Sequence, residues 1–255
     1  MRNRPVPNSN VRVAYKNEEF LDSAEARAVR ILSEYLEPFS HFRREKIRDT
    51  VVFFGSARIH PPDSPLARYY EEARTLARLL TEWGEEIKNT TRRFVVCSGG
   101  GPGIMEAANR GAAEAGGKTI GLSIELPHEQ LPNRYISSEL NFQFKYFFMR
   151  KLWFAQLAKA LIVFPGGFGT MDELFEMLTL MQTGKLGRRV LILIYGRAYW
   201  DKLVNWREMV RAGAINQREF NLLQFADTVD DAFRHVKRGL EKFHVASDTL
   251  VRSSI

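Results

Sequence analysis

The sequence predicts an α/β protein: a Rossmann-like, doubly wound and mostly parallel sheet with helices on both faces, preceded by an N-terminal helical extension. Three observations predict it. Short, near-continuous apolar runs alternate with longer stretches of helical periodicity, the order of repeated βαβ units. The runs lack the apolar–polar alternation of a half-solvated sheet, so both faces are expected to be covered. Glycine-rich turns follow the runs, where such a sheet opens its ligand crevice.

The elements follow in order. Residues 1–16 carry Pro5, Pro7, Asn8, Ser9 and Asn10 without periodicity and read as a tail, or as an arm ordered by a neighbouring subunit. Across 18–42, Phe20, Leu21, Ala24, Ala28, Ile31, Leu32, Tyr35 and Leu36 recur at helical spacing and predict one amphipathic helix. Apolar runs at 51–54, 94–97, 119–124, 161–164, 190–195 and 222–225 read as strands. Helices are predicted over 65–83, up to 115, after the fourth and fifth strands, and over 229–243. No linker or repeat interrupts the series. Residues 1–48 therefore read as tail and helical extension, 49–245 as the Rossmann-like domain, and 246–255 as a C-terminal tail.

Composition narrows the functional classes. The single cysteine, Cys97, cannot form an internal disulfide and suits a reducing compartment. No apolar run approaches the roughly 18–20 residues of a membrane span, and the N-terminal residues lack a hydrophobic signal core. A soluble cytoplasmic protein without a membrane partner is the expectation. Lys and Arg number 37 against 30 Asp and Glu, a net charge of +7. The cations are interspersed with acids, as in REKIRD and DDAFRHVKRGLEK, the pattern of solvated helix faces. That disfavours a nucleic-acid partner.

Three strand ends concentrate the unusual residues: Gly55-Ser56-Ala57-Arg58, Ser98-Gly99-Gly100-Gly101-Pro102-Gly103-Ile104-Met105, and Pro165-Gly166-Gly167-Phe168-Gly169-Thr170-Met171-Asp172-Glu173. Glycine lets backbone amides approach an oxyanion, and the following helix points its positive end at the same place. Ser56 and Thr170 add hydroxyl donors. No segment supplies GxxxxGK with Ser or Thr, so a P-loop is excluded. GxGxxG fails from Gly99, Gly101 and Gly167, whose last positions are Ile104, Glu106 and Asp172. His41, His60, His128, His235 and His244 are scattered, and neither a metal site nor a cofactor is expected. Cys97, inside a buried strand, reads as a small apolar residue.

The third loop matches PGGxGTxxE, and the second extends through GGGPGIMEAANRGAAEAGGKTIGLSIELPHEQLPN; Phe147-Phe148-Met149-Arg150-Lys151 precedes the helix leading to the PGG strand. Over roughly 51–195 the chain thus resembles the Lonely Guy (LOG) family of nucleoside 5′-monophosphate phosphoribohydrolases, sometimes labelled lysine decarboxylases. The resemblance implies cleavage of the N-glycosidic bond of AMP or an N6-modified AMP such as a cytokinin nucleotide. It implies that Glu173 and Arg150 are catalytic. Backbone amides of Gly100, Gly101, Gly103, Gly166, Gly167, Gly169 and Thr170 would hold the 5′-phosphate with Ser56. Lys151 is a further substrate candidate. Met105 and Met149 are candidates for the base pocket or for the core. Asp172 reads as surface, Glu176 as a helix-face or interface group. The family also implies a homodimer or higher homo-oligomer, for which the aromatic segment 142–154 is one interface candidate and core packing the other reading. Phe147-Phe148 departs from the Met-His-Glu-Arg type of sequence in shorter members. A non-catalytic carrier of a nucleotide or phosphorylated cofactor is the alternative function.

Overall fold

The structure is a computed structural model that describes residues 12–60, 62, 64–88, 90–127 and 131–245. The expected C-terminal tail and residues 1–11 lie outside the described residues.

After a 3-10 turn at Ala14–Lys16, the extension forms α1 (Glu18–Asp22) and α2 (Arg27–Arg44). The single predicted helix is thus two, broken where the Ser23 hydroxyl and amide bond back to the Phe20 carbonyl and end the first. Strands β1 (Thr50–Phe54), β2 (Val95–Ser98), β3 (Thr119–Ile124), β4 (Asn141–Phe144), β5 (Ala158–Val163), β6 (Leu191–Tyr195) and β7 (Leu223–Ala226) form one sheet. Its order is β4-β3-β2-β1-β5-β6-β7, and every pairing is parallel. The intervening helices are α3 (Arg68–Glu86), α4 (Ile104–Glu114), α5 (Phe147–Leu157), α6 (Phe168–Gln182), the short α7 (Arg197–Leu203), α8 (Trp206–Arg211) and α9 (Gln217–Phe220), and α10 (Val229–Leu240).

Alternation along the central strands divides the core in two. Val51 and Phe53 of β1, with Ala160 and Ile162 of β5, pack under α3, α4 and α10 through Leu76, Leu80, Ala107 and Val236. Val52 and Phe54, with Leu161 and Val163, face α5 and α6 through Trp153, Phe154, Leu174 and Met177. Both faces are covered, which explains why these strands read as unbroken apolar runs. Helix α2 packs on α5, where Tyr35 stacks on Trp153 at 5.5 Å and the Trp153 indole donates to the Glu34 carbonyl at 3.0 Å.

Strand β4 is an element the sequence reading did not identify. It alternates exposed Asn141 and Gln143 with buried Phe142 and Phe144, as an edge strand covered on one face does. Four of the six Phe and Trp residues in segment 142–154 (Phe142, Phe144, Trp153, Phe154) belong to the core, Phe147 and Phe148 are exposed, and Tyr146 is half-buried. Helix-surface cations pair with their own acids, as in Arg78–Glu82, Arg110–Glu114 and Arg211–Glu208. Among the described residues no helix is long and apolar enough to cross a membrane.

Candidate active site

The first four strands run outward from β1 to β4, and the chain then returns to lay β5 against the other side of β1. The carboxyl ends of β1 and β5 therefore flank the topological switch point, where the two following connections part and leave a crevice. The Ser56 amide donates to the Pro165 carbonyl at 3.0 Å, which ties the two loops side by side. Between them lies a cavity of about 800 Å³. Its lining comes from the β1 loop (Gly55, Ser56, Ala57, Arg58), from the start of α6 (Gly166 to Met171, and Glu173), and from Arg150 and Phe154 of α5. Gly99 and Met105 close another side.

Helix α6 starts without a side-chain cap at Gly167. The first amide groups, which no α-helix satisfies internally, thus have no side-chain acceptor at the cap either, and the helix dipole adds positive potential at the same point. Glu173 lies in the second turn of this helix. Its carboxylate is nearly buried and meets the Arg150 guanidinium at 3.4 Å. Burial pushes the Glu173 carboxyl up to about 7, against the pull of Arg150 and Lys151. Burial also lowers the pKa of Arg150, while Glu173 holds it up. The guanidinium is further flanked by the rings of Phe147 at 5.1 Å and Phe154 at 5.8 Å.

The second glycine loop serves as a wall. Gly103, with φ +67°, presses so close that a Cβ would sit 2.3 Å from the Ser56 carbonyl oxygen. Behind it, Asn133 donates to the carbonyls of Gly100 at 3.0 Å and Gly101 at 3.1 Å and to Asn109 Oδ1 at 2.9 Å. Asn109 in turn accepts from the Ser98 hydroxyl at 2.6 Å, and that hydroxyl accepts the Gly100 amide at 3.1 Å. These side chains, Ser98 and Asn109 buried and Asn133 half-buried, satisfy one another and hold the loop against the β1 loop.

The structure brings Ser56, Met105, Arg150, Gly166, Gly167, Gly169, Thr170 and Glu173 to one cavity. Gly100, Gly101 and Gly103 stand behind its lining, and Gly99 is the residue of that loop which reaches it. Lys151 is bound to Asp172 at 2.8 Å and Glu176 at 2.7 Å rather than lining the cavity. Met149 is core. Phe54, Leu66, Phe154, Phe168, Met171, Tyr199 and Leu203 also line the cavity without having been identified from sequence. Nothing local marks Leu66, in the turn before α3, or Tyr199 and Leu203 of α7, which meet the crevice only through packing. Tyr199 shows its role in the fold, donating its hydroxyl to the Gly166 carbonyl at 3.0 Å. Cys97 is buried, and burial pushes its thiol well above the ordinary range. Among the described residues no group of three or more His, Cys, Asp or Glu side chains could hold a metal.

Fold and site together define a doubly wound α/β protein with a glycine-lined crevice and a buried Arg–Glu pair at its switch point. Comparison with known proteins agrees. A family profile described as "Possible lysine decarboxylase" matches residues 105–236. The chain is 25% identical over 206 residues to cytokinin riboside 5′-monophosphate phosphoribohydrolase LOG of Oryza sativa subsp. japonica, covering 80% of this chain and 78% of that protein. It is 26% identical over 212 residues to a cytokinin riboside 5′-monophosphate phosphoribohydrolase of Arabidopsis thaliana, covering 82% and 89%. Among solved structures, a Moco carrier protein from Chlamydomonas reinhardtii superimposes with a TM-score of 0.50 at 20% identity, over 77% of this chain and all of that one (100%). This last likeness concerns the fold alone. The chain belongs to the LOG family.

Proposed function

We propose that the protein is a nucleoside 5′-monophosphate phosphoribohydrolase that releases the base from AMP or an N6-modified AMP and leaves ribose 5-phosphate. The observation that carries this reading is the Arg150–Glu173 pair, 3.4 Å apart, in a cavity that also contains the uncapped start of α6. Names of the relatives in the LOG family support it. The 5′-phosphate occupies the turn formed by Gly166, Gly167, Gly169 and Thr170 beside Ser56, and the ribose extends toward Glu173. Met105, Phe154, Phe168, Met171 and Leu203 supply apolar surface for the base.

The chemistry follows from the groups present. The C1′–N bond breaks with its electron pair passing to the base, and the ribose acquires oxocarbenium character. Ionised Glu173 stabilises that positive charge and accepts a proton from the attacking water, whose oxygen bonds to C1′. The base acquires a proton, so one water is consumed for each bond broken. Arg150 holds the carboxylate in place and supplies a planar donor to substrate. Two or more copies assemble, and the exposed Phe147, Phe148 and Leu152 of α5, with Val29, Leu32 and Leu36 of α2, are the apolar surface available for it.

Incubating the protein with AMP, GMP, IMP, CMP and N6-isopentenyl-AMP and separating the products tests the reading. Free purine base and ribose 5-phosphate are expected, with adenosine a far poorer substrate. Tight binding of these nucleotides without release of base would replace the enzyme by a nucleotide or phosphorylated-cofactor carrier.

A further inference from the structure

Three charged side chains line the cavity among the described residues: Arg58, Arg150 and Glu173. Arg150 is bound to Glu173 and wedged between two rings. Lys151, the neighbouring cation, is committed to Asp172 and Glu176. Arg58 differs from both. Its guanidinium has no hydrogen-bond or ion-pair partner among the described residues, and the side chain is exposed at the cavity.

The backbone places it there for a reason. The Arg58 amide donates to the Ser56 hydroxyl at 3.0 Å, which turns the chain back on itself directly after β1. The Ser56 amide is bound to the Pro165 carbonyl at 3.0 Å, and the Ser56 carbonyl accepts the Ile104 amide at 3.1 Å. The turn that carries Arg58 is thus fixed to the PGG loop on one side and to the second glycine loop on the other. A phosphate monoester carries about two negative charges near neutral pH. The start of α6 offers it peptide dipoles equivalent to roughly half a positive charge. The remaining charge calls for a full cation, and Arg58 is the one not already neutralised.

We propose that Arg58 is the charge partner of the ligand's phosphate and the residue that selects phosphorylated ligands over the uncharged nucleoside. This rests on the phosphate position assigned above. A guanidinium fork suits two phosphate oxygens at once, which a lysine ammonium does not reproduce. Arg58 lies on the phosphate side of the crevice, and the glycosidic bond is served by Glu173 and Arg150 from α6 and α5.

The test is titration calorimetry of the full chain and of Arg58→Ala and Arg58→Lys with AMP, ribose 5-phosphate and adenosine, joined to steady-state kinetics with AMP. Arg58→Ala should weaken AMP and ribose 5-phosphate by about ten- to a hundredfold and leave adenosine unchanged. Arg58→Lys should recover part of the loss. The change should fall on KM, with kcat altered by less than about threefold because the reacting bond is untouched. Unchanged AMP affinity in Arg58→Ala, or an equal loss for adenosine, would overturn the assignment. If wild-type protein releases no base from any nucleotide, the hydrolase reading falls. Arg58 would then still be judged by whether ribose 5-phosphate binding depends on it.

Discussion

Replacing Glu173 by Gln isolates the ionisation of one buried carboxyl and exposes its thermodynamic consequence. The side chain is 6% exposed, and its pKa is raised from 4.5 to about 7 by burial. In the unfolded chain it returns to the ordinary value. Between these values the native state retains a proton that the unfolded state has released, so wild-type stability falls as pH rises through the window. The contribution is whole below about pH 4.5 and gone above about pH 7. At 1.36 kcal/mol per pH unit the gap amounts to about 3 kcal/mol. Gln cannot titrate. The difference in unfolding free energy, variant minus wild type, should therefore climb by about 3 kcal/mol from about pH 4.5 to about pH 8. Urea unfolding followed by tryptophan fluorescence at several pH values measures it, with equal m-values as the control. Only the slope of the difference is read, since lost hydrogen bonds contribute a constant offset. A flat difference curve would mean that Glu173 titrates as an ordinary carboxylate, and the reasoning from burial would fail.

Three further outcomes follow from the same geometry. If ionised Glu173 is the base, kcat/KM should rise with pH through about 7 and level off above it, and Glu173→Gln should release no base while still binding AMP. Arg150→Lys keeps the charge but loses the flat contacts with Phe147 and Phe154, and base release should fall by roughly tenfold. A contrast between two glycines tests the crevice directly. Gly103→Ala places a methyl 2.3 Å from the Ser56 carbonyl at φ +67° and should cost at least about 1–3 kcal/mol in a urea melt. Gly169→Ala meets nothing within 4 Å beyond its chain neighbours and its own helix backbone, so stability should hold or rise by up to about 1 kcal/mol. The Gly169 methyl should nevertheless crowd the ligand and weaken AMP binding; unaltered affinity would show that the phosphate lies elsewhere.

Much of the site was legible because its residues are local in sequence. The PGG strand end and Glu173 lie within nine residues, 165–173, and the helix that carries them is a continuation of the same turn. Arg150 was legible through family resemblance rather than through periodicity. Lys151 was a further substrate candidate beside catalytic Arg150, but adjacent positions on a helix point about a quarter-turn apart, and α5 sends one side chain to Glu173 and the next to Asp172 and Glu176. Gly100, Gly101 and Gly103 looked like a second phosphate cradle. In the fold their shape serves close backbone approach and the Asn133 contacts, which bring together residues more than 30 positions apart.

The alternating elements, the parallel sheet and the glycine-rich strand ends are legible from residue order, because each is written in short-range pattern and turn chemistry. Strand β4 was missed because it is four residues of period-two alternation at a sheet edge, too short to separate from the aromatic run around it. Adjacency, by contrast, comes from long-range packing. Pairing β5 with β1 across more than a hundred residues sets Ser56 against Pro165 and brings Arg58 to the crevice that holds Glu173. Packing also decided the electrostatics. A glutamate in a sequence carries no information about the water around it, and only packing between α5 and α6 removes that water and lifts its pKa.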